Sequence, residues 1–308
     1  MGDIPDSIKF LHETELGLGA WAWGDRIVWN YGKGYSDADI EEGFRVSLEN
    51  GVTLVDTAEV YGNGRSERLL GQFLKNTETP VIVATKFFPM PWRWTKKSVV
   101  NALKASLERI ELERVDLYQV HWPSPLIPVE TYAEGLAEAH KAGLARAVGV
   151  SNYDKNQMQR AITALSKYDI PLASNQVEYH LLNRKVEKNG LLARCQELDV
   201  RLIAYSPLGM GLLTGKYTPE NPPPGVRGRR YINRLREIQP LIKLMTEIGQ
   251  DLGGKSPAQI ALNWLICKGT LPIPGAKTAN QAEMNAGAAG WRLSTEQVTA
   301  LDEASERL

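Results

Sequence analysis

The sequence predicts an α/β fold in which eight parallel strands close into a single (β/α)8 barrel spanning residues 1–308. Short apolar runs rich in β-branched residues are typical of strands buried on both faces. They alternate with amphipathic runs of helical period, which indicates parallel strands joined by helices. The number of these repeated strand–helix units favours closure into a barrel over an open sheet. We therefore expect a TIM barrel with one long lid loop and extra C-terminal helices.

Eight segments have the composition of buried strands. The first is rich in Gly and Trp, whereas most of the others are rich in Val, Ile and Leu. The predicted strands cover residues 16–23, 53–58, 81–86, 115–121, 146–152, 172–179, 200–207 and 270–276.

Amphipathic segments lie between these strands, and some of their ends carry clear signals. Gly51 follows the first segment and can take the left-handed conformation of a C′ residue. Ser256 followed by Pro257 is the order expected for an N-cap and the first helical residue. The predicted helices cover residues 37–50, 95–112, 130–141, 155–167, 186–198 and 257–267, with two more after Ala276, the last over 294–307.

Residues 208–236 interrupt the alternation. They contain several prolines, glycines and arginines, among them Arg229. A loop of this length inside a compact domain is usually a functional lid or a disordered segment. We expect a lid over the barrel mouth.

Composition narrows the class of protein. The chain is 43 % hydrophobic and 23 % charged, as in a globular protein, and its 36 basic residues balance 36 acidic ones. This balance gives no electrostatic signature of nucleic-acid or membrane binding. No apolar run approaches the roughly 18 residues that span a bilayer, and no secretory signal is visible. We expect a cytoplasmic monomer or weak homo-oligomer with free thiols at Cys195 and Cys267 and no metal, because no cluster has metal-ligand spacing.

Polar residues occur at the carboxyl ends of six predicted strands, which is where (β/α)8 enzymes place their chemistry. Each of them alone has a structural explanation, such as a paired strand end, a core histidine or a turn cap. Burying several ionisable groups together is costly unless they pair, so their convergence favours a functional site. The residues are Asp56, Lys86, His121, Ser151, Asn152, Gln176, Tyr205 and Ser206.

The polar residues at the strand ends, together with Tyr61, match the needs of one reaction, the reduction of a carbonyl. This reaction requires a hydride at the carbon and a proton at the oxygen. A phenol with a pKa of about 10 is a weak acid at neutral pH, but a neighbouring ammonium lowers the pKa by stabilising the phenolate. A buried ammonium in turn needs a carboxylate. Tyr61, Lys86 and Asp56 supply these three groups, and His121 can donate a hydrogen bond that orients the carbonyl oxygen.

At these residues the chain resembles the aldo-keto reductase superfamily over nearly its whole length, and especially the plant and cyanobacterial branch that includes pyridoxal reductases. Residues 56–62 (DTAEVYG) are similar to that family's Asp…Tyr motif, and Lys86 and His121 match the other two members of its tetrad. The resemblance implies that Tyr61 is the general acid, that Lys86 and Asp56 adjust its acidity, and that His121 positions the substrate.

The resemblance also implies a cofactor, NADPH (NADP+) in preference to NADH, bound along the mouth of the barrel. One departure is Met284, which stands where many family members carry Glu. The implied nicotinamide contacts are Ser151, Asn152, Gln176 and Tyr205, and Trp21 is implied to contact the cofactor. The implied pyrophosphate contacts are Ser206, Pro207, Leu208, Gly209 and Lys216, and the implied adenosine and 2′-phosphate contacts are Arg229, Gly275, Lys277, Gln281 and Asn285.

Trp23, Trp92 and Trp122 are predicted to line a pocket for an apolar or aromatic carbonyl compound. Pyridoxal and reactive aldehydes are both open as substrates. Two other functions are also open. One is an NADP-binding regulatory subunit with little turnover, although that branch of the family has Asn where this chain has His121. The other is a lyase that uses Lys86 as a Schiff-base nucleophile.

Overall fold

The computed structural model describes residues 4–26, 28–223 and 226–308, and it leaves out the side chains of residues 226–231. Its eight strands form one sheet in chain order, and each strand pairs in parallel with the next. The strands are β1 (Gly17–Gly19), β2 (Leu54–Asp56), β3 (Ile82–Phe87), β4 (Val115–Val120), β5 (Ala145–Ser151), β6 (Leu172–Glu178), β7 (Arg201–Tyr205) and β8 (Leu271–Pro272).

The first and last strands meet just beyond their ends. A parallel bridge joins Gly19 to Gly275, and the Gly19 amide donates to the Pro274 carbonyl at 3.0 Å. The sheet is therefore a nearly closed barrel, which confirms the predicted (β/α)8 fold and each of the eight predicted strands.

Helices surround this barrel. They are α1 (Asp6–Glu13), α2 (Asp37–Glu49), α3 (Arg65–Leu74), α4 (Lys96–Ile110), α5 (Val129–Lys141), α6 (Lys155–Ser166), α7 (Lys185–Lys188), α8 (Leu191–Glu197), α9 (Val226–Glu237), α10 (Gln239–Asp251), α11 (Pro257–Cys267), α12 (Ala279–Ala286) and α13 (Thr295–Glu306). In the part of the chain that is described, none of them is long and apolar enough to cross a membrane. Cys195 and Cys267 are free.

Local signals explain several helix ends. Ser256 is an N-cap whose side chain accepts from the Gln259 amide, and Pro257 follows it, as predicted. Gly51 follows the end of α2 and has a left-handed backbone conformation with φ of +79°, as predicted for a C′ residue. The predicted helix over 186–198 is instead two helices, because Asn189 ends α7 and Gly190 is left-handed at φ +73°.

Two other expectations need correction. Residues 208–236 are not one loop, since a 3-10 helix covers Gly209–Thr214 and α9 begins at Val226. Arginine favours helix, so the basic run that indicated a loop is compatible with a helical segment. The sequence analysis also missed α1, α10 and α3, the last of which starts after the left-handed Gly64 without a capping side chain. Its buried face includes the charged Glu67, which obscures the apolar stripe.

The inside of the barrel has two layers. Near the amino ends of the strands, inward side chains such as Leu54, Ala84 and Leu117 form an apolar cluster with Ile8 and Leu11 of α1. Two positions further along β2 and β3, the inward residues are Asp56 and Lys86, because side chains alternate with period two along a strand. The interior thus changes from apolar to ionisable towards the carboxyl ends.

Candidate active site

The structure brings Asp56, Tyr61, Lys86 and His121 together at the carboxyl ends of β2, β3 and β4. The Lys86 ammonium is fully buried and forms an ion pair with the Asp56 carboxylate. It also donates to the Thr57 carbonyl at 2.8 Å and to the Tyr61 hydroxyl at 3.4 Å. The three protons of this ammonium therefore have three acceptors, one of which is the phenol.

A tight turn after β2 presents Tyr61 to the mouth. The Tyr61 amide donates to the Ala58 carbonyl at 3.0 Å, and Gly62, Asn63 and Gly64 all have positive φ. A Cβ on Gly62 would lie 2.9 Å from the Gly24 backbone. Glycine is needed there because the conformation is left-handed and the chain after β1 approaches closely.

Burial raises the pKa of Tyr61 above its ordinary value; Lys86 opposes this shift and Asp56 adds to it. The lowering of the pKa that was expected from Lys86 is present, but loss of hydration outweighs it, so the net shift is upward. Burial disfavours the ammonium of Lys86, but the Asp56 carboxylate outweighs this effect and raises its pKa. At neutral pH the site therefore holds a protonated phenol beside a charged ammonium.

His121 follows β4 directly and lies beside the phenol. Its ring centroid is 5.7 Å from that of Tyr61, and the two rings are nearly perpendicular. Burial, assisted by the charge of Lys86, lowers the pKa of His121 to about 3, so the imidazole is neutral. Its buried Nδ1 atom has no hydrogen-bond partner among the described residues. A buried polar atom without a partner is uncommon and costs free energy.

The pKa of His121 predicts a specific acid sensitivity. In the unfolded chain this histidine titrates near 6.5, whereas in the folded protein it titrates near 3. As the pH falls below 6.5, the unfolded state binds a proton that the folded state excludes, so stability present above pH 6.5 is lost progressively towards pH 3. We expect urea unfolding to show a smaller loss of stability between pH 7 and pH 4 in His121→Gln than in wild type. Equal losses would contradict the low pKa.

Gln119, which the sequence analysis missed, hydrogen-bonds to Asp56 inside the barrel. Gln119 of β4 donates to Asp56 Oδ1 at 3.4 Å, and it accepts from Ser174 at 3.3 Å. Gln176 donates to the same Asp56 oxygen at 2.8 Å. Side chains alternate with period two along a strand, so Gln119 points to the same side as His121, which follows β4. This alternation could have predicted that Gln119 lies inside the barrel. Both carboxylate oxygens of Asp56 are thus occupied.

Four predicted cofactor contacts, Ser151, Asn152, Gln176 and Tyr205, form one hydrogen-bonded group beside His121. The Tyr205 hydroxyl donates to Asn152 Oδ1 at 3.0 Å, and Asn152 Nδ2 donates to the His121 carbonyl at 3.1 Å and to Ser151 Oγ at 3.0 Å. Ser151 donates to the Gln176 carbonyl at 2.8 Å. These contacts join the ends of β4, β5, β6 and β7.

The predicted pyrophosphate contacts lie in one turn after β7. Ser206 and Gly209 both have positive φ, and the Gly209 amide donates to the Ser206 carbonyl at 2.8 Å. Pro207 and Leu208 complete this turn, which leads into the 3-10 helix. Lys216 lies beyond that helix, exposed, with its ammonium over the Tyr217 ring.

The predicted adenosine contacts gather around the start of α12. The Lys277 amide donates to Gln281 Oε1 at 2.9 Å, and Asn285 Nδ2 donates to the Gly275 carbonyl at 3.3 Å. The side chain of Arg229 lies outside the described residues.

Two aromatic rings that the sequence analysis did not associate with this segment flank Lys277. Its ammonium lies 4.5 Å from the centroid of Trp29 and 4.8 Å from that of Tyr35. The loop after β1 thus reaches the adenosine segment. Earlier in that loop, the Trp21 ring lies 6.4 Å from that of Tyr61.

The three tryptophans predicted to line the substrate pocket have different positions. Trp23 is fully buried, packs against Phe44 and Phe73, and donates to the Ala276 carbonyl at 3.3 Å. The prediction that it lines the pocket is wrong, since a side chain without accessible surface contacts no substrate. Trp92 and Trp122 are 72 % and 45 % exposed on the loops after β3 and β4.

The fold and this site define a class: a (β/α)8 barrel enzyme with a tyrosine hydroxyl beside a buried ion pair at the carboxyl ends of its strands. Comparison with known proteins then gives the family. The family model described as the aldo/keto reductase family matches residues 15–306, and the chain belongs to this family. It is therefore an oxidoreductase.

Three relatives illustrate the relationship. The chain is 40 % identical over 310 residues to the chloroplastic pyridoxal reductase of Arabidopsis thaliana, covering 96 % of this chain and 84 % of the relative. It is 34 % identical over 283 residues to the L-glyceraldehyde 3-phosphate reductase of Escherichia coli K12, covering 84 % and 81 %. A solved aldo-keto reductase from Klebsiella pneumoniae in complex with NADPH is 28 % identical, with a TM-score of 0.73 and coverage of 94 % and 90 %.

Proposed function

We propose that this protein reduces aldehydes or ketones to alcohols with NADPH, and that Tyr61 is the general acid. One observation carries the proposal: the phenol of Tyr61 lies within reach of the charged Lys86 ammonium, beside a neutral imidazole whose Nδ1 lacks a partner. The barrel mouth thus contains a proton donor, a group that stabilises the conjugate base of that donor, and a group that orients the substrate.

The residues present fit a nicotinamide dinucleotide. The partly exposed Tyr205 ring offers a stacking surface, Asn152 and Ser151 offer amide and hydroxyl groups, and the left-handed turn at Ser206 allows close approach of a pyrophosphate. The Klebsiella pneumoniae neighbour was solved with NADPH. When bound, the cofactor supplies the hydride to the carbonyl carbon. We prefer NADPH to NADH because Lys277 places a cation in the adenosine segment.

Each member of the tetrad has a separate role. Tyr61 transfers its hydroxyl proton to the carbonyl oxygen while the carbon receives the hydride, and the electrons of the O–H bond stay on the phenolate. Lys86 stabilises that phenolate. Asp56 keeps the ammonium charged although it is buried. His121, which is neutral at physiological pH, donates a hydrogen bond to the carbonyl oxygen.

Aromatic aldehydes are the proposed substrates, with pyridoxal as the first candidate. Trp92 and Trp122 expose large aromatic surfaces on two mouth loops, and planar rings stack favourably on such surfaces. The relative from Arabidopsis thaliana is named as a pyridoxal reductase, whereas the one from Escherichia coli is named for a small phosphorylated aldehyde. Reactive aldehydes in general are the second candidate.

A panel of aldehydes that includes pyridoxal and methylglyoxal, assayed with NADPH and NADH in parallel, tests the proposal. We expect loss of absorbance near 340 nm with NADPH and the highest kcat/KM with aromatic aldehydes. Tight NADPH binding without turnover of any aldehyde would instead favour a regulatory subunit. Trapping of a substrate on Lys86 by borohydride would favour a lyase, which the charged state of this amine opposes because a nucleophilic amine must be neutral.

Replacement of Lys277 tests the cofactor preference. A hydrogen bond to a charged group contributes about 1.5–3 kcal/mol, so we expect Lys277→Ala to raise the KM for NADPH by about 10- to 100-fold. The KM for NADH, which lacks the 2′-phosphate, should change little. Initial rates with both cofactors measure this difference. Lys9 of α1, a helix at the amino ends of the strands, pairs with Glu13 and provides the control Lys9→Ala. Equal effects on both cofactors would contradict the role of Lys277.

A further inference from the structure

An ion pair outside the tetrad joins two loops of the barrel mouth. Glu59 lies in the turn between β2 and α3, two residues before Tyr61, and Arg93 lies in the loop between β3 and α4. The two side chains form an ion pair in which the carboxylate is 8 % exposed and the guanidinium 26 %. Neither residue has a role in the chemistry described above.

This pair holds both backbone polar groups of one residue. Glu59 Oε1 accepts from the Phe88 amide at 2.7 Å, and Arg93 Nη1 donates to the Phe88 carbonyl at 3.1 Å. Arg93 is fixed in turn, since its own carbonyl accepts from the Tyr132 hydroxyl of α5 at 2.9 Å and its guanidinium lies over the Phe87 ring. Phe88 is therefore held by the turn that carries Tyr61.

Phe88 is also the residue that packs against the imidazole. Its ring meets that of His121 edge to face with centroids 5.6 Å apart, and the His121 amide donates to the neighbouring Phe87 carbonyl at 2.8 Å. The contacts thus run from the turn of Tyr61 through Glu59 and Phe88 to His121. A shift at either end of this chain of contacts changes the separation of the phenol and the imidazole.

We propose that Glu59 and Arg93 are positioning residues that fix the phenol of Tyr61 and the imidazole of His121 relative to each other for proton transfer. This inference rests on the proposed function. A displacement of about 1 Å from residues outside the chemistry costs up to about 10²-fold in rate, so even a small relaxation of this contact would be measurable.

A second ion pair of the same type provides a matched control. Glu67 of α3 and Arg109 of α4 are 0 % and 23 % exposed, so their burial is similar. Their contact on the barrel is Thr85, which donates to Glu67 at 2.6 Å. Thr85 faces the helices because it alternates with the inward Lys86. The hydrogen bonds of this pair run to Thr85 and Ser106, and the stem of Arg109 packs on the backbone of Gly64.

The experiment compares Arg93→Met, Arg93→Lys and Arg109→Met in the full-length protein. We expect Arg93→Met to lower kcat by about 10- to 100-fold, to leave the KM for NADPH unchanged and to increase the kinetic isotope effect with deuterated NADPH. Arg93→Lys should stay within about threefold of wild type, because a single nitrogen serves both acceptors and an ammonium has three protons. Arg109→Met should lower Tm but not kcat.

Two results would overturn the proposal. In the first, Arg93→Met has a lower Tm but the kcat and isotope effect of wild type, as expected of Arg109→Met. In the second, Arg93→Lys has a kcat as low as that of Arg93→Met. The imidazole nitrogen chemical shifts of His121 decide the question without turnover. A change in Arg93→Met that Arg93→Lys reverses supports positioning even if the wild-type protein reduces no aldehyde, whereas unchanged shifts refute it.

Discussion

Tyr61→Phe is expected to lower kcat for aldehyde reduction by a factor of about 10²–10⁴, the usual contribution of a positioned general acid. The substitution removes only the hydroxyl that Lys86 contacts at 3.4 Å, while the ring keeps its contacts with Trp21 and His121. Binding of NADPH and the unfolding midpoint should therefore change little. Steady-state rates at 340 nm, together with cofactor titration by protein fluorescence, measure both effects.

Tyr168→Phe is the matched control for this substitution. Tyr168 follows α6, away from the barrel mouth, and its ring lies under the Lys141 ammonium. Loss of its hydroxyl should leave kcat unchanged. Wild-type activity in Tyr61→Phe would show that another group protonates the carbonyl, and the assignment of Tyr61 as the acid would fail.

Breaking the buried ion pair is expected to affect both stability and catalysis. Asp56→Asn leaves the Lys86 ammonium buried without a counter-ion, and Lys86→Met leaves the carboxylate without its cation. Removal of one partner of a buried pair costs about 3–5 kcal/mol. Lys86→Met should also lower kcat by about 10²–10³-fold, because the phenolate loses the preorganised charge that stabilises it.

The double variant Asp56→Asn/Lys86→Met separates the two effects. Neutral residues of similar volume often replace a buried ion pair without loss of stability, so the double variant should recover much of the free energy of unfolding. It should not recover kcat, since the ammonium is still missing. Urea unfolding and steady-state rates test both statements. Recovery of activity together with stability would mean that Lys86 serves the fold and not the chemistry.

Local sequence patterns were sufficient for the strands and for the meeting of Asp56, Lys86 and His121 at one mouth. Runs such as the one before Lys86 are apolar and β-branched because they are buried on both faces, and parallel strands bring their carboxyl ends to the same mouth. Asp56, Lys86 and His121 could therefore be placed together without coordinates. Tyr61 followed from the resemblance of residues 56–62 to the family's Asp…Tyr motif.

The remaining features depend on distances that a local pattern does not encode. Glu59 and Arg93 are 34 positions apart, and their contact arises from the paths of two irregular loops. Trp23 was assigned to the pocket because it follows a strand, but its side chain turns towards α2 and α3. The pKa of Tyr61 rises because surrounding atoms exclude water from the phenol, and the amount of exclusion is a property of the packed structure.

The buried contacts of Lys86 and Asp56 determine where the Tyr61 phenol obtains a new proton after a reaction. Every proton of the ammonium and both oxygens of the carboxylate are engaged inside the protein. The Lys86 ammonium that contacts the phenol is not a lasting source of its proton, because a neutral amine would leave the buried Asp56 carboxylate without a cation. In the proposed mechanism the lasting replacement for that proton therefore comes from water at the barrel mouth, so the phenol recovers its hydrogen only when water regains access to it.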